Sequence, residues 1–384
     1  MSNNTITGLV PDIYEGLDIV SREMTGMIPS VTINVNAAER AAVGQNIRVD
    51  VEPEGNLVDV VPAMTIPEPT AQTSGYTDIV ITNSKAAEFG FIGEHVKGLN
   101  TGPGFPNVRA QKIAQAIRKL VNAVESDLCG LQSTFSRAVG TAGTTPFATI
   151  NDYTDATFAR KILKDNGGDV NPRIVMDTTA GATLLGKQGA VNSAGTDLIM
   201  SQGILVDRAG MPLRESGFVK THTAGTGASA TTNDAGYAVG ATVLTLASAG
   251  TGTILAGDVV TFAGDANKYV VASGDADVSG GGTITLAAPG LRVAMSAATK
   301  AITVLATSTR NMAFAESALV LASRAPALPA EGDQATDRML ITDPRSGLTM
   351  EFALYLGYRK VRYEVSLAWG VKNIKPEHTA LILG

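Results

Sequence analysis

The residues able to carry chemistry are few in this 384-residue chain, and they stand apart. Gly181, Gly186 and Lys187 satisfy the G-x-x-x-x-G-K spacing with which a glycine-rich loop cradles phosphates. Gln188, however, stands where such a loop needs a magnesium-binding Ser or Thr. A phosphate loop also opens into a helix, whereas here the helical stretch starts at Asp177 or Thr178 and the glycines come late in it. The expectation is a short helix closed by Gly186 and Gly189. His95, His222 and His378 make no H-x-x-x-H or H-E-x-x-H spacing, and one cysteine cannot supply a usual zinc site. Cys129 has no histidine near it in sequence and reads as a buried, inert thiol. No G-x-S-x-G nucleophile turn occurs. Glu331, Asp333 and Asp337 lie among Pro and Gly and read as solvated loop carboxylates. No catalytic, cofactor-binding or metal-binding residue is assigned, and the chain is expected not to be an enzyme.

Composition narrows the class further. The net charge of −6 is mild and argues against a dedicated nucleic-acid binder, which would be basic. A single cysteine excludes an internal disulfide and fits a reducing compartment. The first residues carry no basic segment followed by an apolar one, so no secretory leader is expected. The charge-free run 236–257 holds five glycines and alternates, which suits strands and not a membrane helix. A soluble, non-secreted protein with no membrane partner is the expectation.

The elements that could position functional groups follow from periodicity. Residues 1–40 read as a mobile arm, with Ile13, Leu17 and Val20 at helical spacing. Residues 41–84 read as a long hairpin, its strands at 47–51 and 78–82 flanking Pro53, Pro62, Pro67 and Pro69. Within 85–150, Ile113, Ile117, Val121, Val124, Leu128, Leu131, Phe135 and Val139 predict a spine helix over about 107–139, with Asn107 as its cap. Its exposed side would carry Arg109, Lys112, Arg118, Lys119 and Arg137 against Glu125 and Asp127. Residues 151–214 read helix, strand, helix, strand, at 155–164, 173–176, 178–186 and 203–206. Charge then nearly vanishes over 215–307, where short alternating runs at 241–246, 258–262, 268–271, 283–286 and 301–304 predict an inserted small antiparallel β domain. The host resumes over 308–384 with a hairpin turning at 343–347. A last strand follows, with Tyr363, Val365, Leu367, Trp369 and Val371 on one face. The fold class is α+β.

One charge asymmetry stands out. Asp50, Glu52, Glu54 and Asp59 make the hairpin acidic, while Arg109, Lys112, Arg118 and Lys119 make the spine basic. An acidic arm and a basic rod on one chain suit head-to-tail association between copies. Exposed ion pairs are individually weak, so repetition would matter more than any one pair.

This order of parts resembles the major capsid protein of tailed bacteriophages, the Hong Kong 97 (HK97) type. The segment Arg310-Asn311-Met312-Ala313-Phe314-Ala315-Glu316, with Ala325-Pro326-Ala327-Leu328-Pro329, is similar to coat proteins of the podovirus class that carry an inserted β-barrel domain. So is the ending Tyr363-Glu364-Val365, Ala368-Trp369-Gly370-Val371 and Pro376-Glu377-His378. The resemblance implies an HK97-type capsid fold with N-arm, E-loop, P-domain, A-domain and insertion domain. It implies hexamers and pentamers in an icosahedral virion shell, assembled in the host bacterial cytoplasm with scaffolding and portal proteins. Packaged double-stranded DNA and a decoration protein are further implied partners. Some relatives crosslink an E-loop lysine to a neighbour; the first lysine here is Lys85, outside the E-loop, so no crosslink is expected. Two rivals are an encapsulin-like nanocompartment shell of the same fold and a nucleotide hydrolase using residues 181–187.

Overall fold

Two sheets and one long helix organise the chain, with strands drawn from distant parts of the sequence. The computed structural model describes residues 21–52, 55, 57–62, 64–66, 68, 71, 74–99, 104–149, 152–188, 205 and 207–384. The architecture is α+β, as expected. The helix expected within 11–24 lies outside the described residues up to position 20, and the strand expected at 203–206 lies almost wholly outside them.

The first sheet runs Thr32–Ala41, Leu319–Pro326, Lys360–Asn373, Thr349–Gly357, Ala335–Thr342, and Asn83–Ile92 also pairs along Lys360–Asn373. The 14-residue strand Lys360–Asn373 is its axis because its alternation offers a whole apolar face: Tyr363, Val365, Leu367 and Trp369 are all buried. Against that face lies the spine helix, Phe105–Gly130, through Ile113, Ile117, Leu120, Val121, Val124 and Leu128. Trp369 is fully buried and its indole N–H donates to Asp127 at 2.9 Å. Residues 32–40, expected in a mobile arm, instead belong to the strand Thr32–Ala41, parallel to Leu319–Pro326.

The helix is shorter than the expected 107–139. It opens after Gly104, with Pro106 in its first turn, so Asn107 is not its cap. After Gly130 the chain passes through a tight turn, Leu131–Thr134, into the strand Arg137–Val139. That strand pairs with Thr379–Leu383 on one side and Lys268–Ser273 on the other. The two ladders satisfy its backbone groups as further helix would have, so the helix can end at Gly130. Phe135 keeps its place in the apolar stripe, fully buried and edge-on to Phe314 with centroids 6.3 Å apart.

The second sheet continues from Arg137–Val139 through Thr379–Leu383, Ser308–Ala315 and Pro172–Asp177 to Leu213–Ser216. The helix Thr154–Asp165 packs Ala156, Ala159 and Leu163 on Ile174, Met176, Ala313 and Ile382. In the other direction the sheet enters the 215–307 region.

There the five expected strands are all present: Val243–Leu246, Gly282–Leu286, Lys268–Ser273, Val259–Phe262 and Ile302–Val304, antiparallel in that spatial order. Thr231 bridges to Ala301 and Thr232 to Leu246, so one short segment bonds both end strands and the strands surround a common core. Leu244, Leu246, Val260, Phe262, Tyr269, Val271, Ile284 and Ile302 fill it. The alternate residues Val259 and Val270 point the other way, into the host's core beside the spine helix. These strands are thus joined to the rest of the chain by a shared ladder and shared apolar contacts.

Candidate functional site

The residues first suspected of chemistry are dispersed. Residues 181–187 lie inside the helix Thr178–Gln188, whose first turn is capped by Asp177 accepting from the Thr179 N–H at 2.9 Å. Backbone N–H groups there are spent on the helix, and a Cβ on Gly181 would meet the Glu215 carboxylate, so Gly181 leaves room for that side chain. His95 is exposed on the short helix Gly93–Leu99. His222 Nε2 lies 2.9 Å from the fully buried Asp258, and His378 Nε2 lies 3.0 Å from the Asn166 carbonyl. Cys129 is fully buried, its thiol pushed up to about 12 by burial first and by the charge of Glu125 second. Asp333 accepts from Tyr355 at 3.0 Å and is ion-paired with Arg338; the Ala335 N–H first, and Arg338 after it, hold its carboxyl below the usual range. Among the described residues no three His, Cys, Asp or Glu side chains gather as a metal site. No helix among them is long and apolar enough to cross a membrane.

The surfaces tell more. Asn46–Asp50 and Tyr76–Val80 pair as the base of the expected hairpin, with Arg48 held to Asp78 at 3.4 Å and stacked over Tyr76. Beyond the base, Leu57, Val58, Val60, Val61, Met64 and Ile66 are 71% to 106% exposed. Burying such side chains is worth about 1.5–3 kcal/mol each, so a lone subunit forgoes that stabilisation at every one. Asp50, Glu52 and Asp59 are exposed on the same arm; Glu54 lies outside the described residues.

The basic residues of the spine divide. Lys112 and Lys119 are exposed and line, with Lys85, a groove of about 490 Å³ between the helix and Asn83–Ile92, floored by Phe89, Ala116 and Leu120. Arg118 is turned to its own chain, where Glu23 accepts from its guanidinium, and Asn122 also donates to Glu23 at 2.8 Å. That pair, chiefly the Arg118 contact, lowers the Glu23 carboxyl to about 2. Arg109 stacks over Phe105, 5.5 Å from the ring centroid. Asp50, Glu52 and Asp59 make no ion pair with Lys112, Arg118 or Lys119 among the described residues. Of the residues expected on the exposed side of the helix, two are buried. Arg137 is buried on the following strand, beside Asn267 and Asp165.

Glu125 is the other, fully buried, and sequence reasoning missed its role. Its carboxylate accepts from the backbone N–H groups of Gly26, Met27 and Ile28 at 2.7, 2.8 and 3.0 Å, and from Ser216 at 2.7 Å. One buried anion therefore ties the N-terminal segment, the spine and the second sheet together. Arg22 adds a link to the buried Asp343 at 2.5 Å. The available signal was the position of Glu125 directly after Val124, at the border of the apolar stripe.

No protein-family model matches the chain. No curated protein matches it in sequence. Among solved structures it is similar to the capsid of the cyanophage P-SCSP1u at 11% identity and a TM-score of 0.49, covering 95% of this chain and 89% of that one. It is similar to the capsid of a native GTA particle at 10% identity and 0.48, covering 95% and 91%. A virus-like particle from Pyrococcus furiosus aligns at 10% identity and 0.40, covering 98% of both chains. Likeness at this level carries no residue's role across.

Proposed function

We propose that this chain is a structural subunit that assembles with copies of itself into a closed shell, the major capsid protein of a tailed phage around packaged double-stranded DNA. The observation that carries the reading is the projecting arm, whose six apolar side chains stand in water on the single subunit. Exposed apolar side chains in such number mark a protein contact. The groove between the spine and Asn83–Ile92 offers an apolar floor with Lys85, Lys112 and Lys119 around it. The acidic arm of a second copy complements it in both respects. Repeated head-to-tail, such a contact closes into rings and shells.

The finer reading is a coat protein of the podovirus class with an insertion domain. Its support is the self-cored ring of strands within residues 215–307, together with the residue resemblance after Arg310. Scaffolding, portal and decoration proteins belong to that same reading, as do assembly in the bacterial cytoplasm and residence in the virion. Contact with DNA would follow local positive charge, since the chain as a whole is acidic.

Negative-stain microscopy of the expressed full chain, alone and with a co-expressed scaffold, tests the proposal. Closed particles are expected, and nucleic acid inside them separates a phage shell from a nanocompartment carrying protein cargo. A chain that remains monomeric under all these conditions refutes the shell reading.

A further inference from the structure

The chain enters the strands over 243–304 from Leu213–Ser216 and leaves them into Ser308–Ala315. Where the two passages meet, Thr221–His222 pairs antiparallel with Ser308–Thr309, and the Arg310 N–H donates to the Lys220 carbonyl at 3.1 Å. His222 stands opposite Ser308, so His222, Ser308 and Arg310 share one face of this ribbon. Asp258, fully buried, reaches that face from the turn before Val259–Phe262. Its Oδ1 lies 2.9 Å from His222 Nε2, and the N–H groups of Gly225 at 3.0 Å and Leu255 at 2.7 Å donate to the same carboxylate. Arg310 is fully buried too, yet its Nε, Nη1 and Nη2 have no hydrogen-bond partner among the described residues. Burial lowers the guanidinium to about 10 and the charge of Asp258 opposes that, so it stays charged at neutral pH.

We propose that the Asp258 carboxylate is a switch with two seats, the observed one on His222 and a second on Arg310, and that pH selects between them. The first seat ties the strands to the entering passage through His222 and Gly225. In the second, one carboxylate oxygen keeps the Leu255 N–H of its own turn and the other accepts from Arg310, which ties the strands to the leaving passage. Ser308 Oγ, also buried and without a partner among the described residues, lies on the same face and gives the carboxylate a polar crossing. Each seat leaves something poorly served. In the first it is a buried charge without a hydrogen bond, and in the second the Gly225 N–H and the imidazole. The protonation of His222 decides between them. A charged imidazole makes a hydrogen bond roughly twice as strong as a neutral one, so acid favours the first seat. A neutral imidazole competes poorly with the charged guanidinium, so rising pH favours the second. The remaining cation of the ribbon, Lys220, has its Nζ beside Gly130 at the end of the spine. Gly257 packs against the imidazole beside Ser133, and neither Leu131–Thr134 nor the turn over 255–257 carries a charge. The switch lies within one subunit and operates whether or not the chain builds a shell.

The test is amide hydrogen exchange on the full chain from about pH 5 to pH 8, the range over which histidines change charge, with intrinsic rates divided out. Protection at Gly225 should fall roughly tenfold across that range, the difference between a charge-assisted and a neutral hydrogen bond. Leu255 should stay protected throughout, because its N–H keeps the carboxylate in both seats. Arg310→Met removes the second seat at similar volume and should hold Gly225 protected at every pH. His222→Gln keeps an N–H donor that does not titrate, and should make Gly225 protection independent of pH. Thermal unfolding checks that each variant is folded. Should Arg310→Met fail to fold, the Arg310 Nε–H of the wild type carries the test, since its own exchange should slow as pH rises and the second seat fills. The switch is overturned if Gly225 in the wild type ignores pH, or if its protection falls as far in Arg310→Met. Leu255 opening together with Gly225, or an Arg310 Nε–H that does not slow, overturns it equally.

Discussion

The described residues between 57 and 66 and the strands of the expected insert over 215–307 treat apolar residues in opposite ways. The insert turns its alternating side chains inward on one another and lends Val259 and Val270 to the host. The arm leaves Leu57, Val60, Met64 and Ile66 in water. A segment that completes its own core contributes to the fold of the subunit. On the proposed shell reading, a segment that exposes its apolar residues meets its partner on another copy, so its side chains should matter for assembly and hardly for folding.

The comparison breaks most visibly if the arm proves structural. Changing Leu57, Val60, Met64 and Ile66 together to Ser should abolish particles seen by electron microscopy, while stability to urea moves by no more than about 0.5 kcal/mol, as for other surface changes. Reversing charge at Glu52 and Glu54 should impair assembly with the same silence in unfolding. The insert should behave in the contrary way: Ile284→Ala, in its core, should cost about 2–5 kcal/mol of stability by the general cost of core truncation. Excising 217–305 should leave a weakened host, because Val259, Val270 and the ladder to Arg137–Val139 leave with it.

A third region sharpens the contrast, since residues 22–30 are also an arm but one folded home. Glu125→Gln replaces an acceptor with an amide that presents N–H to N–H, and should cost about 1–3 kcal/mol. Hydrogen exchange should show faster opening at Gly26, Met27 and Ile28 than elsewhere in the chain. The smallest effect is electrostatic. Glu23 titrates near 2 in the folded chain against an ordinary 4.5, so its contribution is complete above pH about 4.5 and lost as pH falls toward 2. Unfolding curves of Glu23→Gln should therefore converge on wild type in acid and diverge above that range.

Particular residues show what was legible beforehand. The five insert strands could be read because each alternates β-branched and polar residues between Gly, Asp or Pro. Asn83–Ile92 could not: Lys85, Ala86, Ala87, Glu88 and Gly90 have little strand preference, and its pairing is imposed by Lys360–Asn373 lying alongside. Thr32–Ala41 and Thr379–Leu383 were hidden likewise, each needing a partner hundreds of residues away or from another element. The apolar stripe predicted one helix through Val139 because periodicity does not register where a chain meets two waiting strands.

The sequence by itself determined the α+β class, the charge-poor run of short strands within 215–307, and the contrast of charge between the hairpin and the spine. These follow from local pattern and charge, which are written residue by residue. Only the tertiary structure decided which charges remain available: Arg118 is taken by Glu23, Glu125 is buried under three backbone N–H groups, and Lys85 joins Lys112 and Lys119 in one groove. Burial and partnership depend on segments distant in sequence arriving at the same place, and no window of neighbouring residues contains that information.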